Sequence, residues 1–284
     1  MIQDIFPAKL DNHYYEDAVP DENSYIFSFL GDELLFKADE ESKTISYPTL
    51  SDFVTLDLSD LVYLFKVDDR KYFLLLAEAY VSSEFSYRKM RELRNDYYLP
   101  KHDIFAAFTA YQLSEWYAVT KYCGKCGRIN VNDKKERARV CPNCGNKIYP
   151  RINPAVIIGI CNKETNRILL TKYRTGFAHN ALVAGFTEIG ETLEGTVERE
   201  AMEEVGLKVK NIRYYKSQPW AVASDILVGY FCDVDGDKEI TMDTGELKYA
   251  EWVAPKDIEL QPVEYSLTNE MMKLFKEKGY EGTL

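Results

Sequence analysis

The stretch that most constrains this chain runs from Gly185 to Leu207 and reads GFTEIGETLEGTVEREAMEEVGL. Leu193 to Val205 has helix-forming composition without proline, and Gly206 stands where a left-handed residue closes a last helical turn. On such a helix Glu200, Glu203 and Glu204 fall at i, i+3 and i+4, so the spacing predicts three carboxylates on one face near the C-terminal end. That end carries the negative pole of the macrodipole, and a like-charge i,i+4 pair costs about 0.2–0.5 kcal/mol. No lysine between Leu193 and Gly206 offsets the acids. A hard divalent cation would, because Mg2+ takes carboxylate oxygens together with water and phosphate oxygens.

A solvated acidic helix face is the plainer alternative. Against it stand glycines on both sides of the helix, two more acids at Glu188 and Glu191 in the preceding loop, and Arg199 among the acids. A guanidinium placed there can hold a carboxylate in a fixed orientation.

The chain around this stretch has 284 residues, enough for about two domains. With 46% apolar and 29% charged residues it reads as soluble and globular. No apolar run approaches the roughly 20 residues of a spanning helix. The N-terminus shows no basic segment followed by an apolar one, so the expectation is a cytoplasmic protein without membrane contact. A net charge of −11 argues against broad electrostatic affinity for nucleic acid.

Taken in order, residues 1 to about 118 read as an α+β domain. Ser24–Leu30 and Glu33–Ala38 are expected as strands joined at Gly31-Asp32, and Leu61–Val67 and Tyr72–Ala77 as a second pair. Ser83–Arg94 and His102–Tyr122 are expected as helices, the second with core-facing Ile104, Phe105, Phe108 and Trp116. His13, His102 and His179 lie far apart and form no ligand spacing.

Residues 119–150 change character. Cys123-Gly-Lys-Cys126 and Cys141-Pro-Asn-Cys144-Gly form two Cys-x-x-Cys knuckles, the pattern of a structural zinc site closed by four thiolates. A disulfide framework does not suit a cytoplasmic chain, and a redox pair would not need duplication. Lys121, Lys125, Arg128, Lys134, Lys135, Arg137, Arg139, Lys147 and Arg151 make this the basic part of the chain. The plain reading is a structural linker, with a polyanionic substrate or an RNA leader as the other use of the charge. Cys161 and Cys232, in apolar runs, read as packing residues.

In residues 151–284, Ala155–Cys161, Arg167–Tyr173, Lys208–Ser217, Ile226–Asp233 and Glu246–Val253 are expected as strands, Arg174–Asn180 as a loop and Leu267–Lys278 as a helix. Strands on both sides of one central helix, with a second helix at the end, predict an α/β fold: an α/β/α sandwich around a mixed sheet.

Gly185, Glu191, Arg199-Glu200, Glu203-Glu204 and Gly206 with its following apolar residue resemble the Nudix box, which marks hydrolases of nucleoside diphosphates linked to another moiety. Ala201 is smaller than the aliphatic residue usual at its position. With Cys123–Cys144, Tyr149–Pro154 and Ser217-Gln218-Pro219-Trp220, the chain from about residue 120 onward resembles the NADH pyrophosphatases, some of which remove NAD caps from RNA.

The resemblance implies a Nudix sandwich preceded by a zinc ribbon and an N-terminal α+β domain. It implies Mg2+ or Mn2+ held by Glu200, Glu204 and Glu246 with Glu203 alongside, and by the Ala184 backbone. Structural Zn2+ on Cys123, Cys126, Cys141 and Cys144 is implied as well. Tyr149, Ser217, Gln218, Pro219, Trp220, Thr268 and Arg91 are implied as substrate contacts. Arg199 and Glu191 are expected to orient the carboxylates. The implied reaction splits NADH or NAD+ into nicotinamide mononucleotide and AMP, in a homodimer.

One departure stands out. Where the family continues into Pro-Phe-Pro-x-Ser, this chain has Ala221-Val222-Ala223-Ser224-Asp225. A stacking aromatic becomes valine, and a serine becomes an aspartate whose charge a polyphosphate would avoid. Two other classes therefore stay open: a Nudix hydrolase of another diphosphate such as ADP-ribose, and a non-catalytic nucleotide-sensing or nucleic-acid-binding protein, against which the intact glutamate set counts.

Overall fold

Asn153–Asn162 is apolar on both faces, and its alternation sorts the two halves of a core. Val156, Ile158 and Ile160 point to one side of the sheet, and Ala155, Ile157 and Cys161 to the other. In the computed structural model, which describes residues 1–78, 80–81, 84–175 and 179–284, this strand is the centre of a six-stranded sheet. The order is Val209–Trp220, Asp225–Val234, Asn153–Asn162, Arg167–Tyr173, Leu247–Val253, with Val183–Phe186 paired to the central strand as well. The central strand runs parallel to Asp225–Val234, while the other pairings are antiparallel, so the sheet is mixed.

Each face is covered by one helix. Val197, Ala201 and Val205 of Leu193–Val205 pack on Val156, Ile158 and Val183. Leu267, Met271, Met272 and Phe275 of Leu267–Lys278 pack on Ile157, Leu170 and Phe231. This is the expected α/β/α sandwich. Ala201 is fully buried, so the small residue lies in the helix–sheet contact. Cys161 and Cys232 are buried packing residues, as expected.

The sandwich is one of two compact units: Ile152–Trp220 and Ser224–Leu284 with Met1 form the first, and Ile2–Arg151 with Ala221–Ala223 the second. In the second, Leu61–Val67 and Arg70–Leu75 form the expected antiparallel pair. Phe29–Leu30 and Glu33–Asp39 form the expected hairpin, with Gly31 at φ +59° in its turn. Two expectations need correction. Ser24–Leu30 is not one strand: it breaks at buried Ser28, and Tyr25–Phe27 instead runs parallel to Arg70–Leu75. The stretch expected as a helix over Ser83–Arg94 is half strand. Ser86–Lys89 pairs with Glu33–Asp39, placing Tyr87 opposite Leu35, before the short helix Met90–Asn95. Cross-strand pairing has overridden local helix propensity; Ser83 itself lies outside the described residues, as do 176–178 of the expected loop Arg174–Asn180.

The long helix Lys101–Val119 buries Ile104, Phe105, Phe108 and Trp116. Near its start, buried Asp103 accepts a hydrogen bond from the Tyr72 hydroxyl at 2.6 Å, and its backbone oxygen accepts one from Tyr47 at 3.0 Å. Three two-residue strands, Val131–Asn132, Arg139–Val140 and Lys147–Ile148, form the ribbon sheet in the same unit. Tyr14 donates to the Asp133 carbonyl at 3.1 Å, and Arg137 donates to the Leu64 carbonyl.

Candidate active site

The helix Leu193–Val205 is fixed at both ends. Thr192 caps it by accepting the Gly195 amide at 3.0 Å. Gly206 ends it at φ +69°, the conformation glycine adopts without strain. The last carbonyls, which no intrahelical amide can reach, are taken by a later segment. Thr241 N–H donates to the Val205 oxygen at 3.0 Å, and Asp243 N–H to the Glu204 oxygen at 2.8 Å. That segment leads into Glu246, so the helix end and Glu246 are tied together.

Gly185 determines how close the helix carboxylate approaches the sheet. A Cβ built there would lie 2.0 Å from the Glu200 carboxyl carbon, so glycine is the residue that leaves room for it. Glu200 rests against this strand. Glu204 is the deepest of the acids, with 3% of its surface exposed. Its Oε1 accepts from the Tyr173 hydroxyl at 3.4 Å, while its Oε2 is buried with no hydrogen-bond partner. Burial, and then the neighbouring charges of Glu200 and Glu246, push its carboxyl up to about 8, partly opposed by a hydrogen bond from the Ala184 backbone. Burial also raises Glu200, with Glu203 and Glu246 adding to it and Arg199 opposing.

The three glutamates do not share one environment, as helical spacing alone predicts. Glu203 has a largely exposed side chain turned to Arg199. Arg199 engages all five of its donors: Nε to Glu191 Oε1 at 2.6 Å, Nη1 to Glu200 Oε1 at 2.7 Å and Glu203 Oε2 at 2.8 Å, Nη2 to the Phe186 oxygen at 2.8 Å and Glu191 Oε2 at 3.0 Å. Glu191 is held down to about 2, first by Arg199 and then by the Glu188 amide. Thr196, fully buried, donates to Glu191 at 3.0 Å. Tyr173 and Thr196 carry no sequence signal that would have singled them out: one ends a strand and the other sits in the first turn of the helix.

A buried carboxyl with one oxygen unpartnered, under the influence of two further carboxylates, suits either a proton or a divalent cation. Glu204, Glu200 and Glu246 are the residues that would hold a cation, and they would have to close on it, because among the described residues only the four thiols already have their ligand atoms within 4.8 Å of one another.

The Ser217–Trp220 strip lies at the end of the edge strand Val209–Trp220. Ser217 and Pro219 are exposed, and Trp220 packs partly on the core. Gln218 is fully buried, its Nε2 donating to the Tyr265 carbonyl at 2.6 Å and its Oε1 accepting the Leu267 amide at 2.6 Å. Its amide thus positions the start of the helix that carries half-buried Thr268, rather than facing outward as a substrate contact would. Asp225 is also buried, with Asn153 donating to it at 3.3 Å, so its charge is not displayed to a polyphosphate as expected. Arg91 and Tyr149 belong to the other unit, where the Tyr149 hydroxyl donates to Glu136 at 2.6 Å.

In the ribbon, the Sγ atoms of Cys123, Cys126, Cys141 and Cys144 all lie within 4.8 Å of one another. Cys123 and Cys144 are 3.7 Å apart, and Cys126 and Cys141 3.5 Å. A tetrahedron of Zn–S bonds near 2.3 Å has edges of about 3.8 Å, whereas a disulfide would need about 2.05 Å. The donor set fits zinc with no position left open. Among the described residues no histidine joins a metal-ligand group.

Residues 151–275 match the NUDIX domain. Residues 120–149, immediately before it, match the NADH pyrophosphatase zinc ribbon domain. A NAD-capped RNA hydrolase NudC of Escherichia coli O1:K1 / APEC is 42% identical over 154 residues, covering 53% of this chain and 58% of that protein. A protein of the same name from Shigella dysenteriae serotype 1 (strain Sd197) is 41% identical over 155 residues, covering 54% of this chain and 58% of that one. The match therefore spans little more than half the length of these relatives. A solved NUDIX hydrolase from Nitrosomonas europaea superposes with a TM-score of 0.47 at 23% identity, covering 57% of this chain and 94% of that one.

Proposed function

We propose that this protein hydrolyses the pyrophosphate bond of NADH or NAD+ to the reduced or oxidised nicotinamide mononucleotide respectively and AMP, and acts on NAD-capped RNA by the same cleavage. The observation that carries the reading is the buried, unpartnered Glu204 Oε2 beside Glu200 and Glu246. A bound Mg2+ or Mn2+ supplies charge neutralisation of the diphosphate and acidification of a water. The chain's own residues prepare that site. Gly185 admits Glu200 to the sheet surface, Tyr173 and the Ala184 backbone hold Glu204, and the segment closing the helix end fixes Glu246. Arg199 locks Glu200, Glu203 and Glu191 in one hydrogen-bonded set. Zn2+ orders the ribbon and leaves no coordination position for chemistry. Family resemblance supports a homodimer, which light scattering tests. No helix among the described residues is long and apolar enough to cross a membrane.

A second reading, hydrolysis of ADP-ribose, is favoured by Val222. It is 45% exposed and lacks the π-face on which a base would stack. The test is a panel of NADH, NAD+, ADP-ribose, diadenosine polyphosphates and NAD-capped RNA with Mg2+ or Mn2+, products resolved by chromatography. Reduced nicotinamide mononucleotide and AMP from NADH, or nicotinamide mononucleotide and AMP from NAD+, as the fastest reaction uphold the first reading. Faster release of AMP from ADP-ribose upholds the second.

A further inference from the structure

Between residues 120 and 149 the chain has eight lysines and arginines against two acids, in a protein of net charge −11. The structure divides that charge unevenly. Both acids, Asp133 and Glu136, are paired with Lys147, at 2.8 and 3.4 Å. Arg137 and Arg139 turn inward to backbone and asparagine oxygens. The first knuckle keeps Lys121, Lys125 and Arg128 exposed, and among the described residues none of them makes an ion pair.

Amid these cations are two apolar side chains that a small zinc fold has no need to expose. Tyr122 and Ile129 face each other across an antiparallel bridge and are 57% and 59% exposed. The Lys121 ammonium lies 5.9 Å from the Tyr122 ring centre. The platform is rigid. Cys123 N–H donates to the Arg128 oxygen at 2.7 Å, Asn130 N–H to the Lys121 oxygen at 3.0 Å, and two zinc thiolates sit in the turn between. A ring on a fixed support, with one cation beside it and two more exposed in the same short turn, suits sequence-tolerant binding of an unpaired strand: bases stack on the ring and phosphates meet the cations.

We propose that the first zinc knuckle binds the single-stranded body of an RNA through Tyr122, Ile129, Lys121, Lys125 and Arg128. Only the choice of RNA as the strand rests on the capped-RNA reading.

The test is fluorescence anisotropy of a short unstructured RNA without a NAD cap, titrated with the zinc-loaded full chain between about 50 and 200 mM salt. Tyr122→Ala should weaken binding about five- to a hundred-fold, and Tyr122→Phe should restore it. The double change Lys125→Ala, Arg128→Ala should reduce the slope of log affinity against log salt by about 1.4. Each variant should keep its zinc content and the parent's kcat/KM for NADH, which separates a lost contact from a lost fold. Unchanged affinity and slope in these variants overturn the proposal, as does equal loss of binding to acidic phospholipid vesicles, which would make the knuckle a general polyanion face. Absence of NADH hydrolysis in the parent would sink the functional reading, while the binding titration would still decide this one.

Discussion

The ribbon thiols and the helix carboxylates are arranged in opposite ways. In the ribbon, four identical ligands from two tight turns converge, every sulfur within 4.8 Å of the others. On the helix Leu193–Val205 the acids are kept apart. Glu204 is buried with one oxygen unpartnered, Glu200 lies against the sheet tied to Arg199, and Glu203 is turned out to the same arginine. The cysteines have nothing to do but close a shell, and a short segment with little core can spare them for it. Under the proposed function the glutamates would accept a cation together with a diphosphate, which suits a separation held by an arginine and a tyrosine rather than a collapse onto one point.

If that contrast is right, breaking the ribbon should have the largest effect on stability. Cys126→Ser should lose bound zinc and much of the second unit's folding free energy, since structural zinc contributes on the order of 10 kcal/mol in isolated peptides. Elemental analysis and thermal melting check this. Glu204→Gln should leave zinc and melting temperature intact near neutrality, and raise the latter slightly without divalent metal only above about pH 8, where it removes a buried charge. Its kcat should fall about a hundred- to a thousand-fold, the size of losing one preorganised electrostatic group. Near-parental kcat at saturating Mg2+ would remove Glu204 from the site.

Arg199→Lys sharpens the comparison from the other side. Lysine offers three donors where five are engaged, so the affinity for Mn2+ should fall about 10- to 100-fold with the fold kept, measured by metal titration of the zinc-loaded protein. The smallest effect concerns acid. Glu191 is held down to about 2 against an ordinary 4.5, so its stabilising contribution is complete above about 4.5 and fades as pH falls towards 2. The melting temperatures of the parent and Glu191→Gln should differ near neutrality and converge over that window. A difference that grows on acidification contradicts the assignment.

Much of this was legible before any coordinates. The ends of the helix Leu193–Val205 follow from composition and Gly206, and the thiol set from its spacing. What the sequence left hidden is direction. Periodicity groups Glu203 with Glu200 and Glu204, but it does not say that Arg199 will draw one of them outward. Gln218 and Asp225 read as surface residues of a binding strip, yet strand pairing and the start of the helix Leu267–Lys278 bury both. Ser86–Lys89 reads as helix until Glu33–Asp39 offers it an edge. Each of these depends on a partner distant in the chain.

The bonds from Thr241 and Asp243 to the last carbonyls of the carboxylate helix bear on kinetics. Fraying of that helix end and departure of Glu246 become a single opening event, so the protected amides of Thr241 and Asp243 should exchange with solvent deuterium at one shared rate. Whatever occupies the cluster must slow both together, and a cation that entered without Glu246 would leave that rate untouched.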